Sequence, residues 1–349
     1  MKKLLCLLLL ASVCVLSSCG LFRTVDSNTS TLPLKTSDAK TSTISPSTDK
    51  SGTSVTPTVP ATDTQTSPSE PTVISFIGAG DNIVYYGTSR DAESLAVSGG
   101  RRYNFKPMYN DVASLIESAD IAFINQETLM TGGELSYYPQ FNSPQDLAYD
   151  LTEIGFDVIN IATNHMLDKY DDGLLSTIKF WKTFDGITMI GGYEDENDFN
   201  TIRYYEKDGI KIAFLAYTEH TNGIKSNSSS DIVIPYFDEE TIKKQISEAK
   251  NTADLVIVSA HWGDENTYTP SVFQTHYAQI IADAGADVII GHHPHAIQKI
   301  EWLTGQEYQN KTLCVYSLGN FLSEMANDYN MLGGLITFDI SKRGNDTHI

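Results

Sequence analysis

Beyond Pro71 the chain alternates short apolar, β-branched runs with amphipathic stretches of helical period, the signature of an α/β sheet. Strands are predicted at residues 73–79, 121–125, 158–162, 187–190, 210–217, 255–260, 288–290 and 312–317. Helices are predicted at 107–118, 144–154, 174–183, 239–250 and 271–284, joined by loops of ordinary length. There is no internal repeat.

The pattern before Pro71 is different. Lys2 and Lys3 precede an apolar run from Leu4 to Leu16 that is short for a membrane span, as in an export signal. Leu16-Ser17-Ser18-Cys19-Gly20 resembles a lipobox, which predicts lipidation of Cys19 and a lipid-anchored, extracytoplasmic protein on a bacterial cell membrane. Residues 20–71 are dominated by Ser, Thr, Pro, Asp and Lys, too polar to offset the entropy of ordering, and are expected to form a disordered tether. The expected organisation is thus a signal over 1–19, a tether over 20–71 and one globular domain over 72–349.

Composition sharpens this picture at two points. Of the 349 residues, 41% are hydrophobic, enough for a real core, and the formal charge is -20. Residues 1–71 hold six basic and five acidic groups, so the globular part carries 18 basic against 39 acidic. Its field repels nucleic acid, which is excluded as a general partner, and an anionic ligand would need a local cation such as a metal. Arg101, Arg102 and Lys106 form the one small basic cluster, ordinarily a solvated loop charge. With Cys6 and Cys14 lost in the signal and Cys19 lipidated, Cys314 is left without a disulfide partner.

The chemistry gathers where the strands run out. Val73 to Gly80 stops at Asp81, Ile121 to Ile124 at Asn125-Gln126-Glu127, and Val158 to Thr163 at Asn164-His165. Leu255 to Ala260 stops at His261, and Val288 to Gly291 at His292-His293-Pro294-His295. In open α/β sheets the carboxyl edge is where ligands bind. A lone Asp or His at a strand end is ordinarily a capping or hydrogen-bonded loop residue. Five such ends together, holding five of the eight histidines, make a mixed nitrogen and oxygen set suited to Mn, Fe or Zn rather than Ca or Mg. Three imidazoles between Gly291 and His295 crowd one another unless a metal or an acid takes up their lone pairs.

Six motifs now carry a family resemblance. Gly80-Asp81, Asn125-Gln126-Glu127, Thr163-Asn164-His165-Met166-Leu167-Asp168 with Gly173, His261-Trp262-Gly263, His292-His293-Pro294-His295 and Ser317-Leu318-Gly319-Asn320-Phe321 resemble, in order, those of the CapA family. That family comprises bacterial poly-gamma-glutamate capsule synthesis proteins and is similar to calcineurin-like metallophosphoesterases. The resemblance covers residue 73 to the end. It implies a four-layer α/β sandwich holding one or two divalent transition metal ions. Asp81, Glu127, Asn164, His261, His293 and His295 are implied as ligands, and His165, oriented by Asp168, as the general acid. Asn125, Trp262, His292 and Asn320 are expected to contact substrate. Asp168 reads equally as a helix cap before Tyr170; Glu219 and His220, following the strand that ends at Tyr217, are further candidates that without a motif match read ordinarily as loop residues.

This chain departs from the metallophosphoesterase pattern at two ligand positions. Asp-x-His becomes Asp81-Asn82-Ile83, losing an imidazole, and Glu127 stands where the superfamily uses Asp. The family also continues with further strand beyond the position of Ile349, so a truncated record is expected. Three functions stay open. The first is a membrane-anchored factor in synthesis, export or anchoring of poly-gamma-glutamate or another anionic polymer, working within a capsule-synthesis complex. The second is a metal-dependent envelope hydrolase of phosphoesters or amides, and the third a non-catalytic binding lipoprotein with a degenerate site.

Overall fold

The computed structural model describes residues 70–349; the signal, Cys19 and nearly all of the tether lie outside them. In chain order the elements begin β1 (Thr72–Asn82), α1 (Tyr86–Ser94), α2 (Lys106–Ser118), β2 (Ile121–Gln126), α3 (Asp146–Ile154), β3 (Val158–Asn160), α4 (Tyr170–Trp181) and β4 (Thr188–Ile190). Next come α5 (Glu196–Phe199), β5 (Arg203–Lys207), β6 (Ile210–Thr218), α6 (Glu239–Lys250), β7 (Leu255–His261), α7 (Val272–Asp283) and β8 (Val288–His292). The last are β9 (Ile300–Thr304), β10 (Lys311–Val315), β11 (Asn320–Leu322), β12 (Leu335–Arg343) and β13 (Asp346–His348).

The strands form two sheets. One has the order β13-β12-β1-β2-β3-β4, with β11 pairing β1, and the other β5-β6-β7-β8-β10-β9. Strands β1 to β4 run parallel, as do β6, β7, β8 and β10, while β12, β5 and β9 are antiparallel additions. Period-2 alternation sorts each central strand between two cores. Ile74, Phe76, Ile121 and Phe123 meet Ile212, Phe214, Ile257 and Ile290 between the sheets. Ile77, Ala79, Ala122 and Ile124 turn instead to α2, α3 and α4, and Leu215, Val256 and Val258 to α6 and α7. Three apolar layers between helix, sheet, sheet and helix make the four-layer sandwich. Burial on both faces is why these strands read as continuous apolar runs.

Each predicted helix and strand is present within a few residues. Local signals fix several ends: Ser271 and Gln274 form a capping box on α7, Asp238 caps α6 through the Thr241 N–H, and Gly155 ends α3 at φ 114°. The sequence reading missed α1, α5, β5, β9, β11, β12 and β13. Helix α1 (Tyr-Gly-Thr-Ser-Arg-Asp-Ala-Glu-Ser) is nearly all polar and lacks a side-chain cap, so nothing local marks it. Strand β12 did carry a signal, since Ile336, Phe338 and Ile340 alternate with Thr337, Asp339 and Ser341, and it pairs with β1 from Thr72 to Ala79.

One glycine positions the site. Asp81 donates its N–H to the Gly319 carbonyl at 2.9 Å, and a Cβ added at Gly80 would run into that same oxygen. Gly80→Ala is therefore expected to destabilise the fold by about 1–3 kcal/mol, read as a lower denaturant midpoint in chemical unfolding.

Candidate metal centre

The carboxyl ends of both sheets converge. Asp81, Glu127, Asn164 and His165 lie at or just beyond the carboxyl ends of strands of the first sheet, and His261, His293 and His295 at those of the second. All seven are buried. Asp81 is held by Asn125 Nδ2 on Oδ1 at 2.8 Å, and on Oδ2 by the His293 N–H at 3.3 Å and His295 Nδ1 at 3.0 Å. Burial opposes its charge, but His292 and His295 outweigh it and hold the carboxyl well below the usual range.

Glu127 is the opposite case. Neither carboxylate oxygen has a hydrogen-bond partner, although both are buried. Around Oε1 stand His295 Nε2 at 3.7 Å and His165 Nε2 and His261 Nε2 each at 4.0 Å. These separations are too long for hydrogen bonds. They match ligands that share an ion, since two donors each at about 2.0–2.2 Å from a metal lie roughly 3–4 Å apart. Glu127 belongs both to a set with His293 and His295 and to a set with Asp81 and His261, the donor atoms of each set lying within 4.8 Å of one another. Burial, then the neighbouring acids, hold the Glu127 carboxyl well above the usual range against the pull of His295.

The imidazoles divide by their surroundings. Burial and neighbouring histidines press His261 well below the usual range and His293 down to about 3, leaving neutral rings with lone pairs to give. His261 Nδ1 and His293 Nδ1 are buried without partners. For His295, burial is overcome by Glu127 and Asp81, which raise it to about 9. His293 and His295 have φ of 94° and 53°, a left-handed backbone that side-chain-bearing residues hold only at a cost in strain. Orphaned nitrogens, an orphaned carboxylate and strained backbone at one point fit a bound transition metal.

His165 Nδ1 lies 2.7 Å from Asp168 Oδ2, which also accepts the Phe141 N–H at 2.6 Å. Asp168 thus orients the imidazole; Lys169 stands at the cap position of α4, with no side-chain cap. Asn164 Oδ1 meets His261 Nε2 at 2.9 Å, and its Nδ2 donates to Asn222 Oδ1 at 3.2 Å.

Three of the expected substrate contacts are placed otherwise. Asn125 is fully buried, with Nδ2 on Asp81 and Oδ1 accepting from Asn160 at 2.7 Å, so it orients the Asp81 carboxylate. Trp262 is packed in the core beneath α6 and α7, its indole N–H on the Tyr316 carbonyl at 3.0 Å, because the residue after His261 alternates to the helix side of the sheet. His292 is fully buried, stacked on Phe123, with Nδ1 3.6 Å from Asp81 Oδ1 and neither nitrogen hydrogen-bonded. Asn320 lies in register beside Asp81, and its Oδ1 has no partner. The basic cluster is neutralised: Arg101 pairs with Asp150 and Glu153, Lys106 with Glu153, and Arg102 with Glu93.

Two further neighbours close on the site: His220, a candidate in the sequence that reads there as a loop residue, and Asn222, which the sequence reading missed. The His220 ring lies 5.2 Å from that of His293, and Asn222 Nδ2 lies 3.4 Å from His165 Nδ1. Both follow β6, whose last residue Thr218 pairs with His261, so the strand-end rule that found the other residues applied here too.

Fold and site together define a four-layer α/β protein with a candidate metal centre buried at the strand carboxyl ends. The chain belongs to the family described as bacterial capsule synthesis protein PGA_cap, which matches residues 75–325. It is 34% identical over 197 residues to the PGA biosynthesis protein CapA of Bacillus subtilis, covering 56% of this chain and 50% of that one. To the capsule biosynthesis protein CapA of Bacillus anthracis it is 31% identical over 235 residues, covering 63% and 54%. The chain thus spans about half the length of these relatives. Among solved structures, the NAD nucleotidase of Haemophilus influenzae aligns at a TM-score of 0.47 and 12% identity, over 80% of this chain and 49% of that one. The calcineurin-like phosphoesterase YfkN of Bacillus subtilis aligns at 0.43 and 13%, over 80% and 88%.

Proposed function

We propose that this chain acts through a divalent transition metal centre in the synthesis, export or anchoring of a capsule polymer of the poly-gamma-glutamate kind, held to the extracytoplasmic face of the cell membrane by lipidated Cys19. Family membership supports the capsule context. Lys2, Lys3, the apolar run and the lipobox-like segment support the anchor, and no described helix is long and apolar enough to cross a membrane. The observation that carries the metal centre is the unpartnered Glu127 carboxylate among three imidazole nitrogens at 3.7–4.0 Å.

Asp81, Glu127, Asn164, His261, His293 and His295 would hold the metal, Mn, Fe or Zn by the mixed donor set, and His292 stands ready beside Asp81 where the superfamily's second imidazole is missing. When bound, the metal would supply Lewis acidity toward a phosphoryl or carbonyl group. The chain's own part is then proton handling: Asp168 fixes the tautomer and direction of His165, and the Nε2 of His165 faces Glu127. This dyad favours hydrolysis of a phosphoester or amide as the chemistry over passive binding. Asn320, whose buried Oδ1 makes no hydrogen bond, is the one expected substrate contact whose polar atom is left without a partner beside Asp81.

Elemental analysis of the purified chain tests the centre. Stoichiometric transition metal is expected in the wild type and its loss in a His293→Ala, His295→Ala double variant. A folded wild type that takes up no metal when supplied with Mn, Fe or Zn defeats the reading.

A further inference from the structure

The turn after β6 carries two polar side chains from the buried cluster out to solvent. Asn164, His165 and His293 are buried, whereas His220 is half-buried and Asn222 exposed. Residues Thr221 to Ile224 close the turn, with the Ile224 N–H on the Thr221 carbonyl at 2.9 Å and positive φ at both central residues, 52° at Asn222 and 75° at Gly223. Asn-Gly is the pair that such a left-handed turn prefers. Both flanks are tied down. Glu219 donates its N–H to the His261 carbonyl at 2.9 Å and accepts the Gly263 N–H at 2.8 Å, so it brackets the end of β7. The buried Thr221 hydroxyl donates to the Ile224 carbonyl at 2.7 Å and lies 2.7 Å from the Tyr236 hydroxyl.

Turn geometry accounts for an Asn at 222 but not for where its amide is aimed. Asn164 holds Oδ1 2.9 Å from His261 Nε2, which turns its Nδ2 outward onto Asn222 Oδ1 at 3.2 Å. That contact sets the Asn222 oxygen toward Asn164 and its Nδ2 beside His165, 3.4 Å from Nδ1. His165 Nδ1 gives its proton to Asp168, so it cannot also accept from Asn222, and the Nδ2 hydrogens have no acceptor among the described residues. His220 has the same surplus. Its Nδ1 faces the Asn222 N–H at 3.4 Å, which places the ring proton on Nε2, and Nε2 has no partner among the described residues. The His220 ring stands edge to face with His293, centroids 5.2 Å apart.

Two spare N–H donors therefore flank the cluster, one beside His165 and one beside His293. Such donors suit an anionic oxygen, because a hydrogen bond to a charged acceptor is about twice as strong as one to a neutral acceptor. The domain's 18 basic against 39 acidic groups repel an anion at long range, so it has to be taken at short range, by directed donors next to a bound cation. Glu219, the acid on the turn, is spent on Gly263. We propose that Asn222 and His220 form a donor subsite for an anionic oxygen of the substrate, the carboxylate of a γ-glutamyl unit or a phosphoryl oxygen, and hold it against His165 and the centre. The assignment rests on the metal-centre reading for the reacting group and adds to it the residues that select the substrate.

The test is calorimetric titration of the full chain, loaded with Mn, with a γ-linked glutamate pentamer and separately with inorganic phosphate. Asn222→Asp keeps the turn and the oxygen that receives Asn164 but loses the donor, and His220→Phe keeps a ring edge against His293 but has no N–H. Wild type is expected to bind at least one of the two anions saturably. Each variant is expected to bind it about tenfold or more weakly, with metal content and melting temperature unchanged. Weakening confined to the pentamer identifies a carboxylate subsite, and weakening confined to phosphate a phosphoryl one. Wild-type affinity for both anions in both variants overturns the proposal. So does loss of metal together with the anion, which makes the turn a support for Asn164 alone, or absence of binding of either anion by the loaded wild type at millimolar concentration. A wild type that takes up no metal defeats the metal centre instead, and the same titrations of the metal-free chain and its two variants still decide the subsite.

Discussion

Replacing Glu127 with Gln is expected to lower affinity for divalent transition metal by more than about 100-fold while the chain still folds. Altering a residue that merely orients a ligand costs about 10- to 100-fold, and Glu127 is the candidate ligand common to both donor sets. Gln keeps the side-chain volume and removes the charge, and neither carboxylate oxygen makes a hydrogen bond that the amide would break. The measurement is competition against a chromophoric chelator, backed by thermal unfolding with and without metal. Wild type is expected to gain melting temperature on metal addition, because an ion that binds only the folded state stabilises it. The variant is expected to gain none. Equal affinity in the two proteins would remove Glu127 from the centre.

Metal uptake near neutral pH is expected to release about one proton per chain, and affinity to rise about tenfold per pH unit between pH 6 and 8. The source is His295, raised to about 9 by Glu127 and Asp81 against burial, and therefore protonated across that range in the metal-free chain. An imidazole must be neutral to act as a ligand, so the ion displaces this proton and lower pH favours the proton. His293, down at about 3, and His261, also pressed low, are neutral already and add nothing to the slope. Calorimetry in buffers of differing ionisation enthalpy counts the protons. Uptake independent of pH over this window would show that His295 is not a ligand.

The parallel strands and their helices were legible because each strand is buried on both faces and each helix carries an amphipathic stripe. The elements that escaped were edges and additions, such as β9 and β5, whose residues are half solvated and whose partners lie across a turn. The gathering of the candidate residues was legible for a topological reason: a parallel strand ends at the same edge as its neighbours, so its first polar residues collect there. What the sequence could not give was direction. Trp262 and Asn125 stand within one or two residues of candidate ligands, yet one turns to the outer core and the other toward Asp81. His220 reads ordinarily as a loop residue because a single histidine after a strand looks like any other until its strand is known to lie beside the one ending at His261.

The candidate ligands divide between the two sheets, Asp81, Glu127 and Asn164 on one side and His261, His293 and His295 on the other. An ion held by all six would be a staple across the seam of the sandwich. Its binding free energy would then be absent from any state in which the sheets part, even one in which each sheet stays hydrogen-bonded within itself. The apolar seam lined by Phe76, Phe123, Phe214 and Ile257 would open less often in the loaded protein, and chelation would act on the interior of the molecule as well as on its chemistry.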